Sequence, residues 1–309
     1  MRIAILGAGG VGGYFGGRLA DAGEDVSFLA RGEHLDALRR NGLRVLSASG
    51  DIHLPSVTAS DDPARIGDVD LVFFAVKLWD TESAARAAAP LLGRDTAVAT
   101  FQNGVESVET LSRVLGQERV IAGSAFIFSV IAEPGVIRHT GAMARIVFGE
   151  PGGGSSRRCE AFLETCRGAG VDAAVADDVT AVIWEKFILL SALAGVTSVT
   201  RMPVGVVREQ PETRRLLIAA MEETTALARA RNVAVPEDVV ARHVALVDDS
   251  FHHEMKPSML QDLERGGRLE LPWVNGAVAR LGREAGVPTP VHEFIVAALM
   301  PHARVPDAS

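Results

Sequence analysis

Gly7, Gly9 and Gly12 fall at the GxGxxG spacing within the opening segment Ile3-Ala4-Ile5-Leu6-Gly7-Ala8-Gly9-Gly10-Val11-Gly12. That spacing suits a phosphate cradle. Gly7 allows a tight turn, Gly9 lets the backbone approach a pyrophosphate, and Gly12 lets the following helix pack close to the strand. Gly10 and Val11 begin that helix, whose free N–H groups and partial positive charge attract an anion. A bare GxGxxG is weak evidence. Here an apolar run (Ile3, Ile5, Leu6) precedes it, and Gly23 closes the helical stretch before a second strand, Asp25–Leu29. In that context the motif predicts dinucleotide binding.

The tip of the second strand bears on which dinucleotide. An Asp or Glu there accepts hydrogen bonds from the adenine ribose hydroxyls of NAD. This chain reads Phe28-Leu29-Ala30-Arg31-Gly32, with no acid at the tip. Arg31 can grip a 2′-phosphate through two charge-assisted hydrogen bonds, where a carboxylate would repel it. The reading favours NADP(H). Glu33 after a shifted register, or Arg31 as a solvated loop residue, are the alternatives.

Further candidates lie along the chain. Lys77 directly follows the apolar run Leu71–Val76 and so sits at the carboxyl end of a strand, where open α/β sheets bind ligands. Gln102-Asn103-Gly104 ends the next strand, at the same rim. A loop lysine and a common Asn-Gly turn are the plainer readings of these two. Lys186 lies in Val182-Ile183-Trp184-Glu185-Lys186-Phe187-Ile188-Leu189-Leu190, a helix apolar almost all round and therefore buried. A lysine stripped of solvent loses pKa and can deliver a proton to a developing alkoxide as hydride arrives. The alternative is a surface lysine paired with an acid of its own helix. Ser258 can hold a carboxylate, and Glu270 can receive a substrate hydroxyl or orient Lys186. Taken singly, both residues read more simply as helix caps.

The elements that must position these residues alternate strand and helix through the first half. After the opening unit come Arg44–Ser47 and His53–Val57, a hairpin or crossover, and then Leu71–Val76, the clearest buried strand. A helix over Thr81–Leu92, a short strand Ala97–Thr100 and a helix Ser107–Leu115 follow. Val120–Ala122 comes next, then alternating segments near Phe126–Ile131, Gly135–His139 and Ala144–Phe148 that look antiparallel; Gly152–Ser156 reads as a flexible spacer, and a helix Arg157–Gly168 and a strand near Val171–Val175 complete a mostly parallel sheet. From Val179 strand signals stop, and proline-punctuated helical patterns cover 179–194, 211–231, 236–247, 257–266, 271–285 and 290–300. The expectation is an α/β fold: a Rossmann-type dinucleotide-binding domain over residues 1–178, then an all-helical domain over 179–309 for substrate binding and dimerisation. A substrate cleft is expected between them.

Composition narrows the class. A chain of 309 residues with 48% hydrophobic content is long enough for two packed domains, and its formal charge of −8 argues against a nucleic-acid partner. No apolar run is expected to reach the roughly 20 residues that span a bilayer, and an amino terminus that enters a strand at once predicts no cleaved leader. Cys159 and Cys166 lie seven apart in one predicted helix, about 10 Å along its axis. That is too far for a disulfide, no metal-ligand spacing is present, and a reducing cytoplasm fits. The tail Arg304–Ser309 is expected to fray.

With these residues in view, the chain resembles the ketopantoate reductase (2-dehydropantoate 2-reductase) family over nearly its whole length. The resemblance is carried by Gly7–Gly12, Arg31, Lys77, Gln102-Asn103-Gly104, Trp184-Glu185-Lys186, Ser258-Met259-Leu260-Gln261-Asp262 and Glu270 with Asn275-Gly276, in order and in spacing. It implies NADPH-dependent reduction of a 2-oxo acid to a D-2-hydroxy acid, the chemistry of pantothenate biosynthesis, by a homodimer. It implies Lys186 as general acid, Glu270 as substrate contact and support for the lysine, and Ser258 as carboxylate ligand. Asn103 would position substrate and nicotinamide, and Lys77 would line the cofactor side. One departure stands out. Pantoate-forming members carry asparagines one and two turns after the lysine, where this chain has Leu190 and Ala194. Both fall on the lysine's face of the helix, so an apolar wall replaces amides. A more apolar 2-oxo acid is the alternative substrate, with Ser191, Thr197, Ser198 and Thr200 as polar residues that can compensate. A non-catalytic NADP(H) sensor is the other alternative, against which the retention of Lys186 and Glu270 argues.

Overall fold

A computed structural model describes residues 1–303, so the tail expected to fray lies outside the described residues. Two compact units form, Met1–Val182 and the chain from Ile183 onward. In the first, β1 (Arg2–Leu6) is apolar throughout its buried part because both faces are covered. Ile3 and Ile5 pack with Phe15, Phe28 and Phe73 on one side, and Ala4 and Leu6 with Val72, Phe74 and Val98 on the other. Such continuous apolar runs mark a parallel sheet buried on both faces.

The remaining elements are α1 (Gly10–Asp21), β2 (Asp25–Leu29), α2 (Gly32–Asn41), β3 (Leu43–Leu46), β4 (Ile52–Leu54), β5 (Thr58–Ser60), β6 (Val69–Phe74), α3 (Thr81–Ala87), β7 (Leu92–Thr100), α4 (Ser107–Leu115), β8 (Val120–Glu133), β9 (Val136–Gly149), α5 (Arg157–Gly168) and β10 (Asp172–Val175). They build a ten-stranded sheet of order β4-β3-β9-β8-β7-β6-β1-β2-β5, with β10 beside β9. β1 pairs in parallel with β2 on one side and β6 on the other. The strand order therefore reverses at β1 and β6, and their carboxyl ends form the switch point at which such sheets bind ligands.

Several elements differ from the sequence expectation. α2 is a helix that the glycine at 32 disguised, although Leu35, Ala37 and Leu38 bury one face of it. The segments between 120 and 148 are one long antiparallel hairpin, β8–β9, whose register shifts at Ile127/Phe128 and Ile131/Glu133 interrupt its alternation. The predicted spacer ends in a cap: the Ser156 hydroxyl accepts a hydrogen bond from the Cys159 N–H at 3.2 Å. Both cysteines are free and buried.

The second unit is helical. α6 (Val179–Thr200) leads into it, followed by α7 (Val204–Glu209), α8 (Pro211–Ala230), α9 (Val239–Ser250), α10 (Ser258–Glu264), α11 (Asn275–Ala285) and α12 (Pro290–Leu299). α6 runs 22 residues with a mean hydropathy of 1.7 in its apolar window, so by length and composition one helix does reach a membrane-spanning run, contrary to expectation. The helical pattern expected over 179–194 extends six residues further, to Thr200. Within the protein 56% of that window is buried, as in a core helix. Thr197 and Thr200 continue the helix by bonding their hydroxyls to the carbonyls of Leu193 and Val196, at 2.7 and 2.8 Å.

A buried polar cluster ties the helices of this unit together. The Asn275 amide donates to the Ser191 carbonyl at 2.9 Å and to His292 Nδ1 at 3.1 Å. His292 Nε2 therefore carries the ring proton and lies 3.0 Å from the Ala220 carbonyl. Burial lowers the pKa of this imidazole to about 4. Gly195 makes the approach possible, since a Cβ there would lie 2.5 Å from the Asn275 amide nitrogen.

The glycines of the first unit divide by what they touch. Gly7 turns the chain at φ +101, and a Cβ on Gly12 would lie 2.2 Å from the Gly7 carbonyl oxygen and 2.8 Å from Ile5. A Cβ on Gly9 would meet no protein atom within 4 Å. Gly12→Ala is expected to cost about 1–3 kcal/mol of stability as an overpacked contact, a fall of several degrees in melting temperature. Gly9→Ala is expected to melt with the wild type. Thermal denaturation of the two variants checks this, and equal losses would refute the division.

Candidate active site

In the first unit the predicted residues gather at the carboxyl rim of the sheet. A Cβ on Gly7, after β1, would lie 2.8 Å from the backbone of Ala75 and Val76, just beyond β6, so the two strand ends run side by side. Gly9 is the N-cap of α1, and Gly10 and Val11 form the helix's first turn, with their N–H groups at its positive end. The fold leaves the space beside Gly9 open. That fits a pyrophosphate, which needs the backbone N–H groups at close range and no side chain in between.

Lys77 leaves β6 as an exposed residue, with its ammonium 5.5 Å from the centroid of the Trp79 ring. Gln102 is structural rather than open to a ligand. Its amide donates to the Val76 carbonyl and to the Thr81 hydroxyl, each at 2.9 Å, and its oxygen accepts from Thr100 at 3.2 Å. This clamp holds the ends of β6 and β7 together and fixes the backbone from which the half-buried Asn103 projects. Gly104 follows at φ +91, and the chain bends from Asn103 to Glu106 before α4. Arg31 is the exposed N-cap residue of α2, at the tip of β2, and Glu33 lies exposed in that helix's first turn.

In the second unit Lys186 lies on α6 between the buried Trp184 and Phe187. The acid next to it in sequence is engaged elsewhere. Glu185 pairs with Arg242 at 2.5 Å, and its carbonyl lies 2.8 Å from His243 Nε2. Glu185 is the acid that α6 carries, so the alternative of a lysine paired along its own helix would have to share it with Arg242. Part of the Lys186 side chain keeps access to solvent. Protein atoms nevertheless surround its ammonium closely enough that desolvation lowers the pKa from 10.5 to about 8, against the opposing pull of the Glu270 carboxylate. Glu270 is 9% exposed and precedes α11 in a turn, its carbonyl accepting from the N–H groups of Trp273 and Val274 at 3.0 Å. It is not a cap of α11, whose N-cap is Val274. Ser258 is the exposed first residue of α10. The N-cap there is Pro257 and no side chain caps the helix, so the capping role expected of Ser258 is absent.

The four polar residues that can compensate for Leu190 and Ala194 are mostly spent. Ser191 is fully buried and its hydroxyl lies 3.1 Å from that of Thr224. Thr197 and Thr200 bond back along the helix. The buried Ser198 hydroxyl has no partner among the described residues. Leu190 is half-buried and Ala194 buried, so the apolar character of that face stands. The sequence reading missed α2 and the cluster of Thr224, Asn275 and His292. The spacing of Leu35 and Leu38 was available as a signal for the first. Nothing local signals that buried polar residues from α6, α8, α11 and α12 converge.

The chain is similar to known proteins over nearly its whole length. The family model described as Ketopantoate reductase PanE/ApbA matches residues 3–153, and the model of the family's C-terminal part matches residues 178–303. A 2-dehydropantoate 2-reductase of Mesorhizobium japonicum is 33% identical, with 96% of each chain covered. Among solved structures, a PanE/ApbA family ketopantoate reductase from Ralstonia eutropha superimposes with a TM-score of 0.90 at 34% identity, covering 98% of both chains. A 2-dehydropantoate 2-reductase from Geobacter metallireducens reaches 0.91 at 34% identity, covering 97% of this chain and 99% of its own. The chain therefore belongs to the ketopantoate reductase family, a family of nicotinamide-dinucleotide-dependent reductases of ketoacids.

Proposed function

We propose that this chain uses NADPH to reduce a 2-oxo acid to the D-2-hydroxy acid, with a substrate tail more apolar than that of ketopantoate. The observation that carries the reading is the Lys186 ammonium, depressed to about 8 by burial and opposed by the Glu270 carboxylate. An acid with a pKa near the working pH is well matched to proton transfer. A reduced nicotinamide held at the sheet's carboxyl rim would supply the hydride to the carbonyl carbon. Lys186 gives the proton from Nζ to the carbonyl oxygen as negative charge develops there, leaving a neutral amine that solvent recharges. Glu270 keeps the ammonium charged before transfer and accepts the product hydroxyl. Ser258 holds the substrate carboxylate, Asn103 orients substrate and nicotinamide, and Lys77 lines the cofactor side. Gly7, Gly9, Gly10, Val11 and Gly12 cradle the pyrophosphate, and Arg31 grips the 2′-phosphate.

Leu190 and Ala194 set the preference for the tail. A wall built to hydrogen-bond a hydroxyl rejects analogues that lack it, whereas an apolar wall offers the hydroxyl nothing.

Lys186→Ala is expected to lower kcat about 10²- to 10⁴-fold, the usual contribution of a positioned acid, with NADPH affinity near wild type. In the wild type the reduction rate should fall as pH rises through about 8, because the deprotonated amine has no proton to give. A flat profile from pH 7 to 9.5 would remove Lys186 from the chemistry.

Arg31→Ala should weaken NADPH several-fold to a hundredfold, for the loss of a charge-assisted contact worth roughly 1.5–3 kcal/mol, and leave NADH nearly unchanged. Equal losses for the two cofactors would sink the NADPH assignment.

A panel of 2-oxo acids assayed by NADPH oxidation tests the substrate. Unhydroxylated aliphatic or aromatic tails should match or exceed ketopantoate in kcat/KM. Leu190→Asn with Ala194→Asn should then shift the ratio toward ketopantoate about tenfold, or roughly 1.4 kcal/mol. Ketopantoate turnover by the wild type above about 10⁴ M⁻¹s⁻¹ would overturn the apolar preference.

A further inference from the structure

His34 stands in the first turn of α2, three residues after Arg31, and its half-buried ring joins two segments distant in sequence. The Gly135 N–H, in the β8–β9 turn, donates to His34 Nδ1 at 3.1 Å. A backbone N–H can only donate, so Nδ1 is the acceptor and the ring proton sits on Nε2. Nε2 then donates to the carbonyl oxygen of Ala8, at 2.9 Å, in the middle of the glycine-rich loop. The Ala8 N–H is also committed, to the Leu29 carbonyl at 3.1 Å. Burial lowers the imidazole's pKa, which keeps the ring in the neutral form that this arrangement needs.

The consequence lies in the next peptide group. In a trans peptide the carbonyl of one residue and the N–H of the next point in opposite directions. Holding the Ala8 carbonyl toward α2 therefore turns the Gly9 N–H away from it, at the residue beside which a Cβ would find open space. Residues 7–10 carry one side chain, the buried Ala8 methyl, so the loop has no side-chain hydrogen-bonding group of its own to set that plane. We infer that His34 is a positioning residue of the cofactor site, which fixes the Ala8–Gly9 peptide so that the Gly9 N–H faces the pyrophosphate. The inference rests on the reading of Gly7–Gly12 as the pyrophosphate cradle. It makes the first turn of α2 serve both phosphate positions, through Arg31 at its cap and His34 inside it.

Two conservative variants separate this role from simple bracing of α2. In His34→Gln the side-chain amide can put a donor where Nε2 stands. In His34→Asn the oxygen replaces Nδ1 toward Gly135, but nothing reaches Ala8. NADPH and NADH are titrated by nucleotide fluorescence against wild type and both variants, alongside thermal melts and steady-state kinetics. The expected result is near-wild-type affinity for His34→Gln. For His34→Asn, Kd and KM for NADPH should rise about three- to tenfold, the net worth of one hydrogen bond, with kcat at saturating NADPH unchanged. Amide hydrogen exchange across residues 7–11 of the cofactor-free proteins gives a second measurement, expected to be faster in His34→Asn than in His34→Gln even if the former melts lower. Equal affinities and equal exchange in the two variants, with the wild type binding normally, would overturn the role of His34 alone. A wild type that binds neither nucleotide would overturn the cofactor reading and this inference with it.

Discussion

The approach of α1 to β1 is the constraint on which the first unit depends. Five of the twelve residues of α1 are glycine, and each costs a helix interior roughly 1 kcal/mol relative to alanine. Such a segment has poor reason to be helical by itself. It is helical because Tyr14, Phe15 and Leu19 are buried against the sheet while the glycines let the two backbones close up. Gly16 repeats one turn later what Gly12 does, since a Cβ there would lie 2.7 Å from both Ile5 and Phe28. The close fit brings the first turn of the helix directly over the end of β1, at the strand-order reversal. Helix propensity is sacrificed for position, and the position is where an anion can be held.

A comparable cost in stability sits on α6. Lowering the Lys186 pKa from 10.5 to about 8 means that folding disfavours the charged form by roughly 3 kcal/mol. An aliphatic residue at 186 would avoid that cost. The surroundings keep the ammonium from escaping to an easier partner, because Glu185 is held by Arg242 and through its carbonyl by His243. Glu270 then acts as the opposing charge. Sites that carry a function commonly keep such locally unfavourable groups, and the fold compensates elsewhere.

What could be read from the sequence follows from how local each signal is. The β1–α1–β2 unit was legible because its strand, glycine spacing and helix end all lie within thirty residues and agree with one another. The desolvation of Lys186 was legible because Trp184, Phe187, Ile188 and Leu189 surround it in sequence. α2 was not assigned: it opens on Gly32 at φ +57 and buries only Leu35, Ala37 and Leu38, a short apolar face. The long hairpin β8–β9 was broken into pieces because its register shifts disturb the period-two pattern. α10 and α11 were placed, but caps were assigned to Ser258 and Glu270 on residue preference alone. The caps fall instead at Pro257, one residue before Ser258, and at Val274, four residues after Glu270, and caps of that kind are decided by backbone path.

Hydroxyls show most clearly why residue type falls short of availability. Ser191, Thr197 and Thr200 make the end of α6 look polar on paper, and they lie near Leu190 and Ala194. In the folded unit two of them return their protons to carbonyls of their own helix, and the third meets Thr224 in the buried cluster. A hydroxyl satisfied in this way presents mainly its carbon atoms to a neighbour, and breaking its bond to serve a ligand recovers little net energy. The Asn275–His292 pair consumes the amide of this region in the same manner, bracing α6 five residues beyond Lys186. Most of the polar groups at this end of α6 are thus spent on bonds inside the helical unit. The wall beside Lys186 is left to Leu190 and Ala194, which is why its apolar character governs the proposed choice of substrate.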